Sequence, residues 1–433
     1  MKLAFFGTGY VGLVTGTCFA DLGNKVICVD INKNKIKNLT KGLIPFYEPG
    51  LKELVQRNLK QKRLRFTLDF KGAVEFADVI FICVGTPSKT NGNVDLSQIY
   101  SVAEEIGKHM NSYKIIINKS TVPVGTAEKV ERIIKSKLKK PISFDVISNP
   151  EFLREGAAVK DFQNPDRIII GTDSEKAKLI MNQLYKPVLR AERTMLFTDT
   201  KTSEIIKYAS NAMLALRISF VNELSYLCEA TGADIKQVAT GVGLDNRIGS
   251  RFLQAGVGYG GSCFSKDVKG LAQTLEQHGF ASNILRAVDY VNERQKKSLI
   301  PKLKKFLPNL EGKRITLWGI SFKPRTSDIR DAPSLVVMEQ LKNEYAVISA
   351  YDPEAIPEAK KQVKGVNFID DAYIALKGSD ALIIMTEWDE FREPDFELMK
   401  KLMRRKIIID GRNIYNPDSI RALGFEYAGV GRK

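Results

Sequence analysis

A glycine-rich turn near the start of the chain limits the possible folds more than any other feature. The turn, GTGYVG at residues 7–12, follows an apolar segment and precedes a helical one. Glycines at these places permit a tight turn, close approach of the backbone to a pyrophosphate, and close packing of helix on strand. The N–H groups at the helix start can then donate to the phosphates. The turn predicts a dinucleotide site, with a plain turn in another phosphate or sugar-nucleotide binder as the alternative.

An acidic residue at the end of the second predicted strand bears on the choice between NAD and NADP. Asp30 ends the second apolar segment, and a carboxylate there can accept hydrogen bonds from the adenosine ribose hydroxyls. The same carboxylate would repel the 2′-phosphate of NADP. Lys33 and Lys35 lie close by and weaken this preference for NAD over NADP. Because of the Asp30 carboxylate we still expect NAD as the cofactor.

The first 200 residues alternate apolar strands with amphipathic helices, which is typical of α/β folds. This alternation predicts a parallel, doubly wound sheet, whose ligands bind beyond the carboxyl ends of the strands. The expected strands are Leu3–Phe6, Val26–Val29, Val79–Val84, Ile115–Asn118, Asp145–Ser148 and Arg167–Ile170. Residues able to serve a site follow them: Gly7, Asp30, Gly85, Ser120 and Asn149.

A long helix and a second α/β pattern follow. No proline or glycine occurs from about Thr202 to Ala230, and apolar residues cover more than one face of this segment. Such a helix must be buried, and burial between two domains and against a second subunit would achieve this. The fold class is therefore α/β, with two Rossmann-like doubly wound sheets joined by a long central helix. The expected domains are 1–200, 201–300 and 313–433, and the third has strands at 315–320, 346–351, 381–386 and 406–410.

Charge and cysteine usage narrow the classes of site. Five cysteines without a CxxC pair and only two histidines argue against a disulfide framework or a zinc site, so no metal is expected. The net charge of +16 suits an anionic small substrate or nucleic acid. Basic residues do not cluster with aromatic ones, so no nucleic-acid partner is expected. Neither a signal peptide nor an apolar run of membrane length is found, which predicts a cytoplasmic protein without membrane contact.

One cysteine differs from the other four. Cys263 stands in GVGYGGSCFSKD at residues 256–267, before a helix expected from about Ser265 to Gln277. The N–H groups at a helix start lower the pKa of a thiol, so Cys263 is a candidate nucleophile. Asp267 lies one helical turn further along and can share its site. The remaining cysteines are expected in the core: Cys18, Cys28, Cys83 and Cys228.

Other polar groups stand on the long helix and after predicted strands. Lys207 either extends to solvent or stays buried beside Asp267 and stabilises an oxyanion. Glu151, in NPEFLREG at 149–156, either assists acid–base chemistry or caps the next helix. The segments 85–87 and 120–126 shape loops over the nicotinamide or are plain loops. A hydride acceptor together with a thiol nucleophile predicts oxidation through an aldehyde to an acid.

These motifs resemble the UDP-glucose/GDP-mannose dehydrogenase family over essentially the whole chain. The shared segments are GTGYVG, VGTP, STVPVGT, NPEFLREG, the pair Lys207 and Asn211, GYGGSCFSKD, and GISFKP followed by SDIRDAPSL. The resemblance implies an NAD domain, a central helix that forms a homodimer or a higher homo-oligomer, and a domain that holds the nucleotide sugar. It also implies a four-electron oxidation of UDP-glucose at C6 to UDP-glucuronate, with two NAD used in succession.

The resemblance gives roles to the reacting groups. Cys263 would capture the aldehyde as a thiohemiacetal, which loses a second hydride to become a thioester that water hydrolyses. Lys207 would stabilise oxyanions or transfer protons, and Asn211 would help to hold the oxyanion. Three further groups would position the water or assist acid–base steps: Asp267, Thr121 and Glu151.

The resemblance also implies the binding residues. NAD would contact Gly7, Gly9, Tyr10, Val11, Gly12, Asp30, Lys35, Thr86, Thr121, Glu155, Lys266 and Arg330. The nucleotide sugar would contact Glu151, Phe152, Leu153, Arg154, Glu155, Lys207, Asn211, Phe252, Leu253, Gln254, Ala255, Gly256, Tyr259, Gly260, Lys323 and Arg412, and Arg247 of a neighbouring subunit. Two residues depart from the family pattern. Ser265 stands where proline is frequent, and Arg325 stands where an acidic or amide residue is frequent.

Other activities stay open on the sequence alone. The nearest is the same chemistry on GDP-mannose or on a UDP-N-acetylhexosamine. The second is disfavoured because that branch usually has histidine before the cysteine, where this chain has Ser262. A two-electron hydroxyacid dehydrogenase would need no thiol. A nucleic-acid-binding protein would account only for the charge.

Overall fold

The chain divides into two units, Met1–Ser210 and Asn211–Lys433. The first unit is built around one β-sheet. The computed structural model describes residues 1–87, 93–189 and 194–432. The strands of the first unit are β1 (Lys2–Phe6), β2 (Lys25–Val29), β3 (Leu64–Thr67), β4 (Val79–Ile82), β5 (Lys114–Asn118), β6 (Phe144–Ser148), β7 (Arg167–Gly171) and β8 (Thr194–Thr198). Their order in the sheet is β3-β2-β1-β4-β5-β6-β7-β8. The first six follow the order of dinucleotide-binding sheets.

Helices cover both faces of this sheet. They are α1 (Tyr10–Asp21), α2 (Lys33–Leu39), α3 (Leu51–Lys60), α4 (Phe70–Phe76), α5 (Ser97–His109), α6 (Thr126–Lys137), α7 (Ala158–Gln163), α8 (Glu175–Tyr185) and the start of α9 (Thr200–Thr231). Leu3 and Phe5 of β1 lie in the apolar core to which α1, α3 and α8 contribute. Ala4 and Phe6 lie in the core to which α4, α5 and α6 contribute. Successive residues of a buried strand thus face opposite layers, and the expected doubly wound α/β class is confirmed.

The expectation of a wholly parallel sheet is wrong at one junction. β6 and β7 meet antiparallel, through the pair Ser148 and Gly171, whereas β7 and β8 are parallel. A parallel neighbour would require a crossover that returns the chain to the edge of the sheet where β6 begins. The connection between β6 and β7 contains only the short helix α7 and does not make this crossover. The expected end of β4 at Val84 is also wrong. The strand stops at Ile82, and Cys83 lies in the segment after it.

The second unit contains a smaller sheet. Its strands are β9 (Arg314–Trp318), β10 (Val347–Tyr351), β11 (Asn367–Phe368), β12 (Ala381–Ile384), β13 (Ile407–Asp410) and β14 (Glu426–Gly429), in the order β11-β10-β9-β12-β13-β14. All their pairings are parallel. Its helices, after the end of α9, are α10 (Ile235–Gly243), α11 (Phe264–Gln277), α12 (Asn283–Gln295), α13 (Leu299–Lys304), α14 (Pro333–Asn343), α15 (Ile356–Gln362), α16 (Ala372–Leu376), α17 (Phe396–Leu402) and α18 (Pro417–Ala422).

The long helix is slightly longer than expected and only partly covered. It spans Thr200–Thr231 instead of Thr202–Ala230. Met213, Phe220 and Leu227 recur every seven residues and are 57%, 50% and 59% exposed. Residues at this spacing share one face of a helix. One face of the helix is therefore half exposed in a single chain, and its expected burial against a second subunit stays a prediction.

None of the helices in the described ranges combines the length and the apolar character needed to cross a membrane.

Candidate active site

The glycine-rich turn is shaped by close contacts of its backbone. Gly7 has a φ of +98°, and a Cβ there would lie 2.7 Å from the Cys83 carbonyl oxygen. A Cβ at Gly12 would lie 2.0 Å from the Gly7 carbonyl oxygen, whereas one at Gly9 would meet nothing within 4 Å. Gly7 and Gly12 are therefore required by packing. Gly9 leaves open space before the first residue of α1, Tyr10, where a pyrophosphate would fit.

Asp30 is held as an oriented carboxylate after β2. Its Oδ2 accepts hydrogen bonds from Thr8 N at 3.0 Å and Thr8 Oγ1 at 2.6 Å, and from Lys35 Nζ at 2.9 Å. Burial opposes ionisation, but hydrogen bonds from Thr8, Asn32 and Lys35 lower the pKa of Asp30 to about 2. Lys35 is thus paired with the carboxylate rather than offering a free cation. This is the arrangement expected for NAD.

A buried glutamate that sequence reasoning missed joins this turn to a second loop. Glu48 is 3% exposed, and its carboxylate contacts the Tyr10 hydroxyl. It also accepts hydrogen bonds from Gly156 N at 2.6 Å and Ala158 N at 2.7 Å. Glu48 therefore fixes the start of α7 and the end of the loop that carries Glu151. It lies in a loop, YEPG, without periodicity, so no local pattern marked it.

Glu151 and Lys207 form a buried ion pair. Their Oε1 and Nζ atoms are 3.2 Å apart, and the two side chains are 7% and 5% exposed. Glu151 Oε2 also accepts a hydrogen bond from Leu153 N at 2.6 Å. Lys207 Nζ lies 5.1 Å from the centre of the Phe152 ring, and this lysine does not extend to solvent. The remaining residues of the segment are less buried: Leu153 and Glu155 are intermediate, and Arg154 is exposed and paired with Asp161.

The loops after β4 and β5 are tied together and to α9. Thr86 Oγ1 donates to the Thr121 carbonyl oxygen at 3.0 Å. Glu204, a further residue that the sequence did not reveal, accepts from Gly125 N at 2.6 Å and Ala127 N at 3.0 Å at the start of α6. Burial raises the pKa of Glu204 to about 7, although these hydrogen bonds oppose the rise. The loop that carries Thr121 is thus anchored at both ends.

In the second unit Cys263 stands immediately before α11, as the N-cap residue of that helix. It is partly exposed, whereas Cys18, Cys28, Cys83 and Cys228 are buried. Burial raises the pKa of Cys18 and of Cys83 to about 12. A thiol at a helix start that can be reached from solvent is the one suited to nucleophilic attack.

Asp267 lies one turn along α11 and is almost fully buried, at 1% exposure. Its backbone N–H donates to the Cys263 carbonyl oxygen at 2.8 Å. Its carboxylate accepts from Asn211 Nδ2 at 2.6 Å and from Lys266 Nζ at 2.6 Å. Asn211, Lys266 and Asp267 thus form one cluster beside the helix start that holds Cys263.

Three buried amide side chains hold the backbone of the glycine-rich loop before Cys263. Asn222 Oδ1 accepts from Gly256 N at 2.9 Å, and Gln295 Nε2 donates to the Gly256 carbonyl oxygen at 2.6 Å. Asn292 accepts from Tyr259 N at 2.9 Å and donates to the Tyr259 carbonyl oxygen at 3.1 Å. These amides were not predicted, although Asn292 and Gln295 stand one turn apart on an amphipathic helix. They fix the loop that leads to the thiol.

A second contact on this loop explains one departure from the family pattern. Ser265 Oγ donates to the Asp331 carboxylate, whose other oxygen lies 2.6 Å from the buried Lys296 Nζ. A Cβ at Gly260 would lie 2.4 Å from the Asp331 carbonyl oxygen. Ser265 therefore ties the first turn of α11 to the segment after β9. Arg325, the other departure, has a φ of +63°, a region that asparagine and aspartate tolerate better.

The residues of the second unit that are expected to bind the nucleotide sugar are held in different ways. Arg412 donates to the carbonyl oxygens of Met385 at 2.8 Å, Phe322 at 3.1 Å and Gly258 at 3.2 Å. Lys323 Nζ lies 5.3 Å from the centre of the Phe322 ring. The others range from core to surface: Leu253, Ala255, Gly256, Tyr259 and Gly260 are buried, Phe252 is intermediate, Gln254 is exposed, and Arg247 is exposed and paired with Asp245. Arg330, which is expected to contact NAD, is exposed and paired with Asp328.

Family models and known proteins agree with this architecture. Residues 1–189, 201–294 and 316–417 match the NAD binding, central and UDP binding domains of the UDP-glucose/GDP-mannose dehydrogenase family. The chain is 45% identical to the UDP-glucose 6-dehydrogenase TuaD of Bacillus subtilis, over 100% of this chain and 93% of that protein. It is 45% identical to a UDP-glucose 6-dehydrogenase of Rhizobium meliloti, over 100% of both. A solved UDP-glucose dehydrogenase of Pyrobaculum islandicum superposes with a TM-score of 0.92 at 35% identity, covering 100% of this chain and 98% of that one.

Proposed function

Because the chain belongs to the UDP-glucose/GDP-mannose dehydrogenase family, we propose that it oxidises UDP-glucose at C6 to UDP-glucuronate. The observation that carries this proposal is the 45% identity, over the whole chain, to proteins named UDP-glucose 6-dehydrogenase. NAD is the cofactor, since residues 1–189 match the NAD binding domain of the family. Bound NAD supplies the hydride acceptor, twice in each turnover.

The proposed chemistry uses the thiol of Cys263. The C6 alcohol loses a hydride and its hydroxyl proton and becomes an aldehyde. The Cys263 sulfur adds to the aldehyde carbon and the oxygen takes a proton, which gives a thiohemiacetal. Loss of a second hydride and of the hydroxyl proton gives a thioester, and water then releases the acid and the thiol. In sum, UDP-glucose, two NAD⁺ and one water give UDP-glucuronate, two NADH and three protons.

Two groups of side chains would support these steps. The buried Lys207 ammonium, paired with Glu151 at 3.2 Å, would stabilise developing oxyanions, and Glu151 would exchange protons.

The second group would act in hydrolysis: the Asp267 carboxylate, held by Asn211 at 2.6 Å, would position the hydrolytic water together with Thr121. Lys323 and Arg412 would bind the diphosphate, for which two cations suit the charge.

The active form would be a homodimer or a higher homo-oligomer built on α9. The proposal is supported by the half-exposed apolar stripe of Met213, Phe220 and Leu227, because contiguous exposed apolar surface marks an interaction site. Light scattering should give at least twice the chain mass for the wild type, and a smaller mass for Phe220→Glu. A wild-type monomer would refute this part. The expected cytoplasmic location stays a prediction, which cell fractionation can test.

The substrate is tested by initial rates of NADH formation with UDP-glucose, GDP-mannose and UDP-N-acetylglucosamine, with identification of each product. UDP-glucose should give the highest kcat/KM by at least tenfold and yield UDP-glucuronate. A preference for GDP-mannose or the hexosamine would replace the substrate within the same family chemistry. No NADH from any of the three would reject the proposed activity.

A further inference from the structure

A buried lysine that the proposed chemistry does not use follows β5. Lys119 comes directly after Asn118 and is 5% exposed. Its Nζ donates to the Asn149 carbonyl oxygen at 3.3 Å and to Asn149 Oδ1 at 3.2 Å. Both acceptors are neutral, so these hydrogen bonds do not cancel the charge. Burying such a charge is costly, and the charges around Lys119 determine how much of this cost is offset.

Three ionisable groups from different elements act on Lys119. Cys83 follows β4, Glu151 follows β6, and Lys207 lies on α9. Burial lowers the pKa of Lys119 to about 8; Cys83 and the negative charge of Glu151 oppose this change, and the positive charge of Lys207 reinforces it. The Cys83 thiol, whose own pKa is raised to about 12, stays uncharged near pH 8, so Glu151 is the anion that acts on Lys119 there. Lys119 and Lys207 are thus two buried lysines that both interact with the Glu151 carboxylate, Lys207 as an ion pair at 3.2 Å and Lys119 through its charge.

The same lysine fixes the main chain just before Glu151. Asn149 precedes Glu151 by two residues, and its side chain makes three hydrogen bonds. Its Nδ2 donates to the Ile169 carbonyl oxygen at 2.9 Å, and its Oδ1 accepts from Tyr185 Oη at 2.6 Å and from Lys119 Nζ at 3.2 Å. A buried side chain with its hydrogen bonds satisfied holds its backbone rigidly. The segment from which Glu151 projects is therefore anchored through Lys119.

From these contacts we infer that Lys119 is a positioning residue for the Glu151–Lys207 pair. Its ammonium anchors the segment that precedes Glu151 and supplies, with Lys207, a second positive charge that acts on the Glu151 carboxylate. The inference rests on the proposed function, because it assigns Glu151 and Lys207 to the oxidation. It predicts that loss of the charge alters the pH dependence of the reaction, which loss of a hydrogen bond alone does not.

The test compares Lys119→Met with Tyr185→Phe, which removes the other hydrogen bond to Asn149 Oδ1 without changing charge. The measured quantity is kcat for NADH formation from UDP-glucose between pH 5.5 and 9.5. With Lys119→Met we expect kcat at pH 7 to fall about tenfold and the acidic limb to move about one pH unit upward. Tyr185→Phe should keep the shape of the wild-type profile. Profiles of the same shape in Lys119→Met and the wild type would overturn the inference.

A second measurement does not depend on activity. Because the pKa of Lys119 is lowered from 10.5 to about 8, the native chain binds fewer protons than the unfolded chain between these values. This group therefore adds stability as the pH rises from 8 to 10.5. The Tm of the wild type should rise relative to Lys119→Gln across that window, even if UDP-glucose proves not to be the substrate. A Tm difference independent of pH would overturn the inference.

If neither Lys119→Met nor Lys119→Gln folds, the ¹³Cε resonances of the wild-type lysines, followed by NMR as a function of pH, provide the test. One lysine should titrate below the others, near pH 8, because burial lowers the pKa of Lys119 to about 8. If no lysine titrates below pH 9.5, Lys119 is not buried at Asn149, and the inference is contradicted.

Discussion

Asn211 Nδ2 donates a hydrogen bond of 2.6 Å to Asp267 Oδ2. It joins the long helix α9 to α11, the helix that begins directly after Cys263. Since Lys266 Nζ occupies the other carboxylate oxygen at 2.6 Å, Asp267 is fixed from both sides. A carboxylate held in this way can orient a water molecule without rearranging during the reaction.

Asn211→Leu removes the amide and leaves the buried Asp267 oxygen without that donor. Loss of one such hydrogen bond should lower kcat about 10- to 100-fold, with a smaller effect on KM for UDP-glucose. Steady-state kinetics check this split. The exposed Asn343 of α14 offers a control, because Asn343→Leu should leave both constants unchanged. Equal changes in KM and kcat would count against an orienting role.

Cys263→Ser should stop the reaction before the acid forms. A serine hydroxyl is a far weaker nucleophile than a thiolate, so UDP-glucuronate formation should fall about a thousandfold or more. Product analysis after quenching checks this fall. Cys228→Ala, at a buried cysteine of α9, is the matched control and should still form the acid. An active Cys263→Ser enzyme would favour the two-electron alternative.

Asp30→Asn tests the choice of cofactor. The change weakens the acceptor for the ribose hydroxyls and removes the charge that repels a 2′-phosphate. KM for NAD should rise about tenfold, corresponding to about 1.4 kcal/mol, and the preference for NAD over NADP should narrow. Initial rates with both dinucleotides provide the measurement. Asp173→Asn, at an exposed loop position, should change neither value.

Glu204→Gln tests the anchor between α9 and the loop that carries Thr121. The pKa of Glu204 is raised from 4.5 to about 7, so the native chain binds more protons than the unfolded chain between these values. The contribution of this group to stability is full below pH 4.5 and is lost as the pH rises through 7. The Tm of the wild type, minus that of Glu204→Gln, should therefore decrease from pH 5 to pH 8. Glu128→Gln, at an exposed neighbour, should give a constant difference.

Asn292→Leu tests the amides that hold the loop before Cys263. The change leaves the N–H and the carbonyl of Tyr259 without their buried partner, at a cost of about 1–3 kcal/mol for each. The free energy of unfolding, from urea titration, should fall by about 2–6 kcal/mol for the two groups together. Asn283→Leu, at the exposed start of the same helix, should change it by less than about 0.5 kcal/mol. A stable Asn292→Leu protein would show that the loop does not depend on this clamp.

The sequence revealed those features whose physical reason is local. The turn at 7–12, Asp30 and Cys263 each stand beside a strand or helix end, so the surrounding residues indicate what they do. Glu48, Glu204 and Lys119 could not be found in this way, because each acts on a segment distant in sequence. A single buried polar residue has no periodicity that marks it. The antiparallel contact of β6 and β7 was missed for a similar reason, since it depends on how the chain returns after α7.

The count of NADH formed per UDP-glucose consumed tests the central claim most directly. With limiting UDP-glucose, excess NAD and the wild-type enzyme, absorbance at 340 nm should reach two NADH per sugar, with UDP-glucuronate as the product. One NADH per sugar, with an aldehyde or ketone as the product, would contradict the account, because Cys263 would then have no second oxidation to serve.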